Sequence, residues 1–192
     1  MAGRPRKPGS DAAIMAAALE LLRERGYAGL TLDDVADLAG VGKSSLYRRF
    51  RDRADLATAA IASTQRELPQ PTGDLRADLI AYLRAVETDL GHVGLGVIAS
   101  LLGHDPHTLA MHRARVIEPR ARHSRQLLAD ALQRGEIRRG TDLDAAMELL
   151  IGSLFTRALN GDRSPCPWPE RAVDTILAGL RPGQDHAGAR LR

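Results

Sequence analysis

Apolar positions recur through almost the whole chain at the i, i+3, i+4, i+7 spacing of amphipathic helices, and no segment alternates in the manner of a strand. Ile14, Ala17, Ala18, Leu21 and Leu22 mark a first helix over roughly Asp11 to Arg25, with Ser10 or Asp11 to cap it and Gly26 to end it. Val35, Ala36, Leu38 and Ala39 mark a much shorter second helix. Thr31 is placed as its N-cap, Asp34 as the capping-box partner and Gly40 as a left-handed stop. After Val41-Gly42 a third helix from Ser44 to Phe50 turns Leu46 and Phe50 inward and leaves Lys43, Ser44, Ser45, Tyr47, Arg48 and Arg49 outward. Asp52 and Asp55 cap a fourth helix that is expected to run to about Glu67, and Pro69, Pro71 and Gly73 then break the chain.

Beyond that break the pattern stays helical. Leu75, Leu79, Tyr82, Leu83, Val86 and Leu90 lie on one face. Val93 to Leu102 is apolar on most sides and loosened by Gly91, Gly94, Gly96 and Gly103. Asp105-Pro106 supplies an N-cap and a first-turn proline, and Pro119 is expected to kink or break the helix they open before it resumes to Gly135. A helix from Asp142 carries Met147, Leu150, Ile151, Leu154, Phe155 and Leu159, an apolar surface too wide for a single neighbour. The last helix carries Val173, Ile176, Leu177 and Leu180, and the residues from Pro182 onward have the composition of a disordered tail. The expected class is all-α with about nine helices: a flexible basic arm over 1–10, a small helix-turn-helix domain over 11–67, a larger helical domain over 74–181 and a tail over 182–192.

Short helix, glycine turn and short helix is an arrangement that places its second helix in a DNA major groove. Charge sharpens this reading. The net charge is only +3, but between residues 43 and 53 Lys43, Arg48, Arg49, Arg51 and Arg53 stand against Asp52 alone, an excess of +4. A solvated helix face would look the same in isolation; within this helical pattern, phosphate neutralisation is the better explanation. Arg4, Arg6 and Lys7 form a second basic group suited to a minor-groove arm. Lysine occurs only at positions 7 and 43, so Lys43 stands out in an arginine-rich chain.

Length and composition permit a sizeable core: 192 residues, 44% hydrophobic and 3% aromatic. No run reaches the roughly 20 apolar residues of a membrane span, and the N-terminus lacks the apolar segment of a signal peptide, so a cytoplasmic location is expected. Cys166 is the sole cysteine and cannot form an internal disulfide. His104, His107 and His112 bracket a helix start, but without Cys, Asp or Glu at a recognised spacing no metal site is expected. No motif calls for a cofactor, and no paired carboxylates, nucleophile motif or phosphate-cradling loop argues for an enzyme.

With these features in order, residues 11 to 57 resemble the DNA-binding domain of the TetR family of transcriptional regulators. The likeness rests on Gly26-Tyr27, on Leu30-Thr31-Leu32-Asp33-Asp34-Val35-Ala36, and on Ala39-Gly40-Val41-Gly42-Lys43-Ser44-Ser45-Leu46-Tyr47-Arg48-Arg49-Phe50. Arg51 and Arg53 stand where the family often has proline and lysine. The resemblance implies a repressor, less often an activator, that binds palindromic double-stranded DNA as a homodimer and releases it when a small-molecule inducer enters the C-terminal domain. Lys43, Ser44 and Ser45 are then the candidates for base edges, and Thr31, Tyr47, Arg48, Arg49 and Arg53 for phosphates.

By the same analogy Asp142 to Asn160 and Glu170 to Leu180 would pair across a two-fold axis through Met147, Leu150, Ile151, Leu154, Val173, Ile176, Leu177 and Leu180, with Gly152 and Ser153 allowing close approach. Burial of both faces within one subunit is the alternative. Tyr82, Val86, Leu101, His104, Met111 and Phe155 are candidates for the inducer site. A DNA-architectural protein or an activator without a ligand response is the rival function.

Overall fold

The computed structural model describes residues 10–161 and 167–180. Arg4, Arg6, Lys7, Cys166 and the tail from Pro182 lie outside them. Ten α-helices follow one another: α1 Ser10–Arg25, α2 Leu32–Ala39, α3 Lys43–Arg49, α4 Arg53–Ser63, α5 Leu75–Val93, α6 Leu95–Leu102, α7 Pro106–His112, α8 Glu118–Gln133, α9 Leu143–Leu159 and α10 Trp168–Leu180. A π-helical turn, Arg113–Ile117, joins α7 to α8 without a break, so the ten segments make nine rods among the described residues. No strand occurs among them, and no single helix is long and apolar enough to cross a membrane.

Helix starts follow the local chemistry of their caps. Thr31 accepts from the Asp34 amide at 3.1 Å, Asp52 from Asp55 at 2.8 Å, Asp105 from Thr108 at 2.8 Å and Asp142 from Ala145 at 3.0 Å. Gly40 ends α2 at φ 64° and Gly94 separates α5 from α6 at φ 93°, where a Cβ would be strained. Two expectations need correction. The fourth helix ends at Ser63 rather than near Glu67, because the Ser63 and Thr64 hydroxyls donate to the carbonyls of Ala60 and Ile61 and compete with continuation of the backbone ladder. Pro119 does not break its helix. Proline removes one i→i−4 donor, and the turn just before it is already widened, with the Glu118 amide reaching back to the Arg113 carbonyl.

The chain packs as two compact units. The first holds the described residues to 66 and also residues 88–119, so the helix-turn-helix shares its core with the end of α5, with α6, with α7 and with the π turn. In it α1 packs on α2 and α4, α3 on α2, and α4 on α7 and the π turn. Ile14, Leu22, Leu30, Val35, Leu46, Leu56, Leu101 and Val116 are among its buried residues. The second unit takes residues 67–87 and those from 120 onward. Leu79, Leu83, Leu128, Ile137, Leu150 and Val173 are among its buried residues. Within it Asp78 gathers the Thr72 hydroxyl and the amides of Thr72 and Gly73, fixing the approach to α5.

Candidate nucleic-acid interface

Seven residues make α3, and their orientation is set by a single anchor. Leu46 is fully buried while Phe50, just past the helix end, is half-buried against the same core. A helix of two turns with one buried residue must turn the rest outward. Lys43, Ser44, Tyr47 and Arg48 are accordingly exposed and Ser45 is half-buried. The helix begins at Lys43, one residue earlier than the sequence pattern suggests, so Lys43 is a first-turn residue and not part of the connecting turn.

Acidic side chains organise this surface. Asp33, in the first turn of α2, accepts from Lys43 Nζ at 2.9 Å through Oδ2 and from the Tyr47 hydroxyl at 3.1 Å through Oδ1. Hydrogen bonds from Lys43 and then Tyr47 hold the Asp33 carboxyl below the usual carboxylate range. The same carboxylate pushes the Lys43 ammonium and the Tyr47 phenol upward. Arg49 is half-buried and hydrogen-bonded to Asp11 of α1, and Arg25 pairs with Asp34 at 3.3 Å. Of the three cations of α3, Arg48 alone has no partner among the described residues.

Two family models match this chain: bacterial regulatory proteins of the tetR family over residues 14–60, and the tetracyclin repressor-like C-terminal domain over residues 69–177. The chain belongs to the TetR family. It is 32% identical over 162 residues to the uncharacterized HTH-type transcriptional regulator YdeS of Bacillus subtilis, covering 82% of each chain. It is 32% identical over 183 residues to the DNA-binding transcriptional repressor TetR of Mycobacteroides abscessus, covering 90% of this chain and 95% of that one. Among solved structures, the TetR family transcription regulator SCO0332 superposes with a TM-score of 0.64 at 29% identity, over 91% of this chain and all of that one. The chain is therefore a transcriptional regulator and not an enzyme.

Within this TetR-family helix-turn-helix, two residues expected at phosphates also make contacts within the protein. Arg49 ties α3 to α1. Arg53 donates to the Ala28 carbonyl at 3.0 Å, sits 4.4 Å from the centre of the Tyr27 ring and meets His104 Nε2 at 2.8 Å. Tyr27 is buried; its hydroxyl meets Thr108 Oγ1 at 2.8 Å, and the Thr108 hydroxyl in turn donates to Asp105 at 2.7 Å. Tyr27 enters the sequence reading only through the Gly26-Tyr27 pair and with no role of its own, although a tyrosine directly after a helix-ending glycine is placed to carry its ring inward and its hydroxyl to a partner. A second tie joins the π turn to α4. Arg115 donates to the Asp55 carboxylate and the Asp55 carbonyl, each at 2.8 Å, and to Thr58 Oγ1 at 3.1 Å. Burial pushes the Asp55 carboxyl up, but the Arg51 amide and the Arg115 guanidinium outweigh it and leave the group below its ordinary value.

The six inducer-site candidates are divided between the two units. Leu101 is buried in the core of the first unit and Met111 packs against it, while His104 meets Tyr27 and Arg53. Tyr82 in the second unit is buried and stacks on His123 at 5.9 Å; Val86 and Phe155 are half-buried.

The dimer candidates are redistributed. Met147, Leu150, Leu154, Val173 and Leu177 are buried inside their own chain, because α9 packs on α10 through the face that carries them. Ile151, Ile176 and Leu180 are half-exposed. The most exposed large apolar side chains of α9 are Leu149 and Leu159, 64% and 74% exposed, on the stripe that also holds Gly152 and Thr156.

Sequence patterning also passed over His112 as an individual. It ends α7, is 3% exposed, and its Nδ1 is buried without a hydrogen-bond partner among the described residues. Burial pushes the imidazole pKa down, so the folded chain favours the neutral ring. Stability should thus be intact above the unfolded value of about 6.5 and fall as pH drops below it, by at most about 1.4 kcal/mol per pH unit from this group. Denaturant unfolding of parent and His112→Leu at pH 7.5, 6.5 and 5.5 checks this: the parent should lose more stability on acidification than the variant. Parallel profiles would refute it.

Proposed function

We propose that the chain represses transcription from the cytoplasm by binding an inverted-repeat operator as a homodimer, and that a small molecule bound in the helical region C-terminal to the helix-turn-helix releases it. The single observation that carries this reading is the outward face of α3, where Lys43, Ser44, Tyr47 and Arg48 are exposed over a buried Leu46. Lysine at the start of a groove-bound helix donates to guanine O6 or N7, and the small Ser44 beside it lets the backbone approach the base edges. Arg48 suits a phosphate, as does Thr31, whose hydroxyl caps α2 and can still donate outward. Pairing of two copies through Leu149 and Leu159 covers the most exposed leucines of α9. Inducer release requires a ligand that favours a dimer spacing unable to fit both half-sites; tight binding alone shifts nothing.

Selection of bound duplex from a random pool tests the reading, with one inverted repeat as the expected product. An unenriched pool would instead indicate a sequence-tolerant architectural protein. On the selected duplex, Lys43→Ala should relax preference at one position of each half-site. Arg48→Ala should weaken binding to every sequence and lower the salt slope by about one unit. Salt titrations in which both variants match the parent would remove α3 from the groove.

A further inference from the structure

Asp33 is an anion on the side of the molecule that the proposed function turns toward a polyanion, and it grips two of the residues assigned to that contact. The two bonds use different carboxylate oxygens, so Lys43 and Tyr47 are held at once. Lys43, Asp33 and Tyr47 side chains are about half exposed, and surface pairs of this kind add little to stability. Their effect is on what the two side chains can reach. Alone at the surface, the Lys43 ammonium would sweep a wide volume and neutralise whichever phosphate came near. Held by Asp33 beside the first turn of α3, it must exchange a carboxylate for whatever acceptor the DNA provides.

We infer that Asp33 is a specificity-determining positioning residue, which aims Lys43 and Tyr47 and penalises any duplex that offers no base acceptor to replace its carboxylate. On a matching site Lys43 trades Asp33 for, or shares it with, the two acceptors of guanine, a near-even exchange. On a mismatched site the ammonium remains with Asp33 and one fewer phosphate is neutralised. This is discrimination by weakening the wrong complex rather than by strengthening the right one. The inference rests on the DNA-binding reading above and adds to it a residue that contacts the reading side chains and not the bases.

Asp33→Asn tests it, with Asp33→Ser as a second variant should the amide perturb the first turn of α2. Affinity for a duplex carrying the selected inverted repeat and for a scrambled duplex of equal length is followed across a salt series. In the variants, affinity for the scrambled duplex should rise about tenfold at low salt and its salt slope should steepen by about one unit, while operator affinity changes by less than about threefold. Selectivity therefore falls. In a Lys43→Ala/Tyr47→Phe background the same substitution should have no such effect, which separates positioning from the bare loss of a charge. Unchanged selectivity and slope would overturn the inference, as would an equal change in that background. Loss of operator binding with scrambled binding unaltered would also overturn it, in favour of direct base contact by Asp33. A parent chain that binds neither duplex would sink the DNA-binding reading itself.

Discussion

Replacing Leu149 and Leu159 together by lysine should leave each chain folded but single, and should lower operator affinity by about 100-fold or more. The two leucines are largely solvent-exposed in the isolated chain, so the change removes little from its own core. Lysine is a good helix former, and α9 should persist. In a pair of copies the same positions would face each other, and four buried ammonium groups would oppose association through repulsion and desolvation. Once the copies separate, the second half-site is no longer presented at high effective concentration, an advantage worth 10²–10⁴ in comparable bivalent systems. Sedimentation gives the mass, and fluorescence anisotropy with full-site and half-site duplexes gives the affinities. A double variant that sediments as a dimer would take α9 out of the interface.

Asp55→Ala should cost about 2–3 kcal/mol of stability, less than the 3–5 kcal/mol typical when a fully buried pair is broken, because the Arg115 side chain keeps access to water. For a chain of this size that loss lowers the melting temperature by about 4–12 °C. The substitution removes the carboxylate that accepts from Arg115 and also from the Arg51 amide before α4. The acid limb supplies a second check. With its folded value depressed, the Asp55 carboxylate contributes stability that is complete above the unfolded value of about 3.9 and is lost as pH falls through the lower folded value. The alanine variant should therefore be flatter than the parent below about pH 4. Thermal unfolding at pH 7 and pH 3.5 measures both effects, and equal melting temperatures at pH 7 would show that the tie carries no load.

Local features were legible from sequence wherever the partner lies within a turn. Thr31, Asp52, Asp105 with Pro106, and Asp142 announce helix starts because a cap and the amide it binds are three residues apart, and Gly40 announces a helix end by its left-handed backbone. The exposure of Lys43, Ser44, Tyr47 and Arg48 followed from one inward leucine in a short helix. What sequence could not supply was the partner of each surface. Arg53 and Arg49 have the composition of phosphate contacts, yet His104 lies 51 residues from Arg53 and Asp11 lies 38 from Arg49, separations at which no periodicity operates. The two apolar faces of α9 were equally visible, but only packing on α10 shows that Met147, Leu150 and Leu154 face inward and leave Leu149 and Leu159 outside. Asp33 was hidden for the same reason: as a first-turn acid it has a sufficient local explanation in the helix dipole.

The π turn has a consequence for engineering and for descent alike. A single wide turn is in effect one residue inserted into a helix. Deleting one of residues 113 to 117 should restore an ordinary α ladder and leave backbone hydrogen bonding nearly intact, because five residues of a wide turn and four of an α-helix turn through nearly the same angle. Loss of one codon from this short stretch would thus be nearly silent to the helix, provided that Arg115 and the buried Val116 are spared.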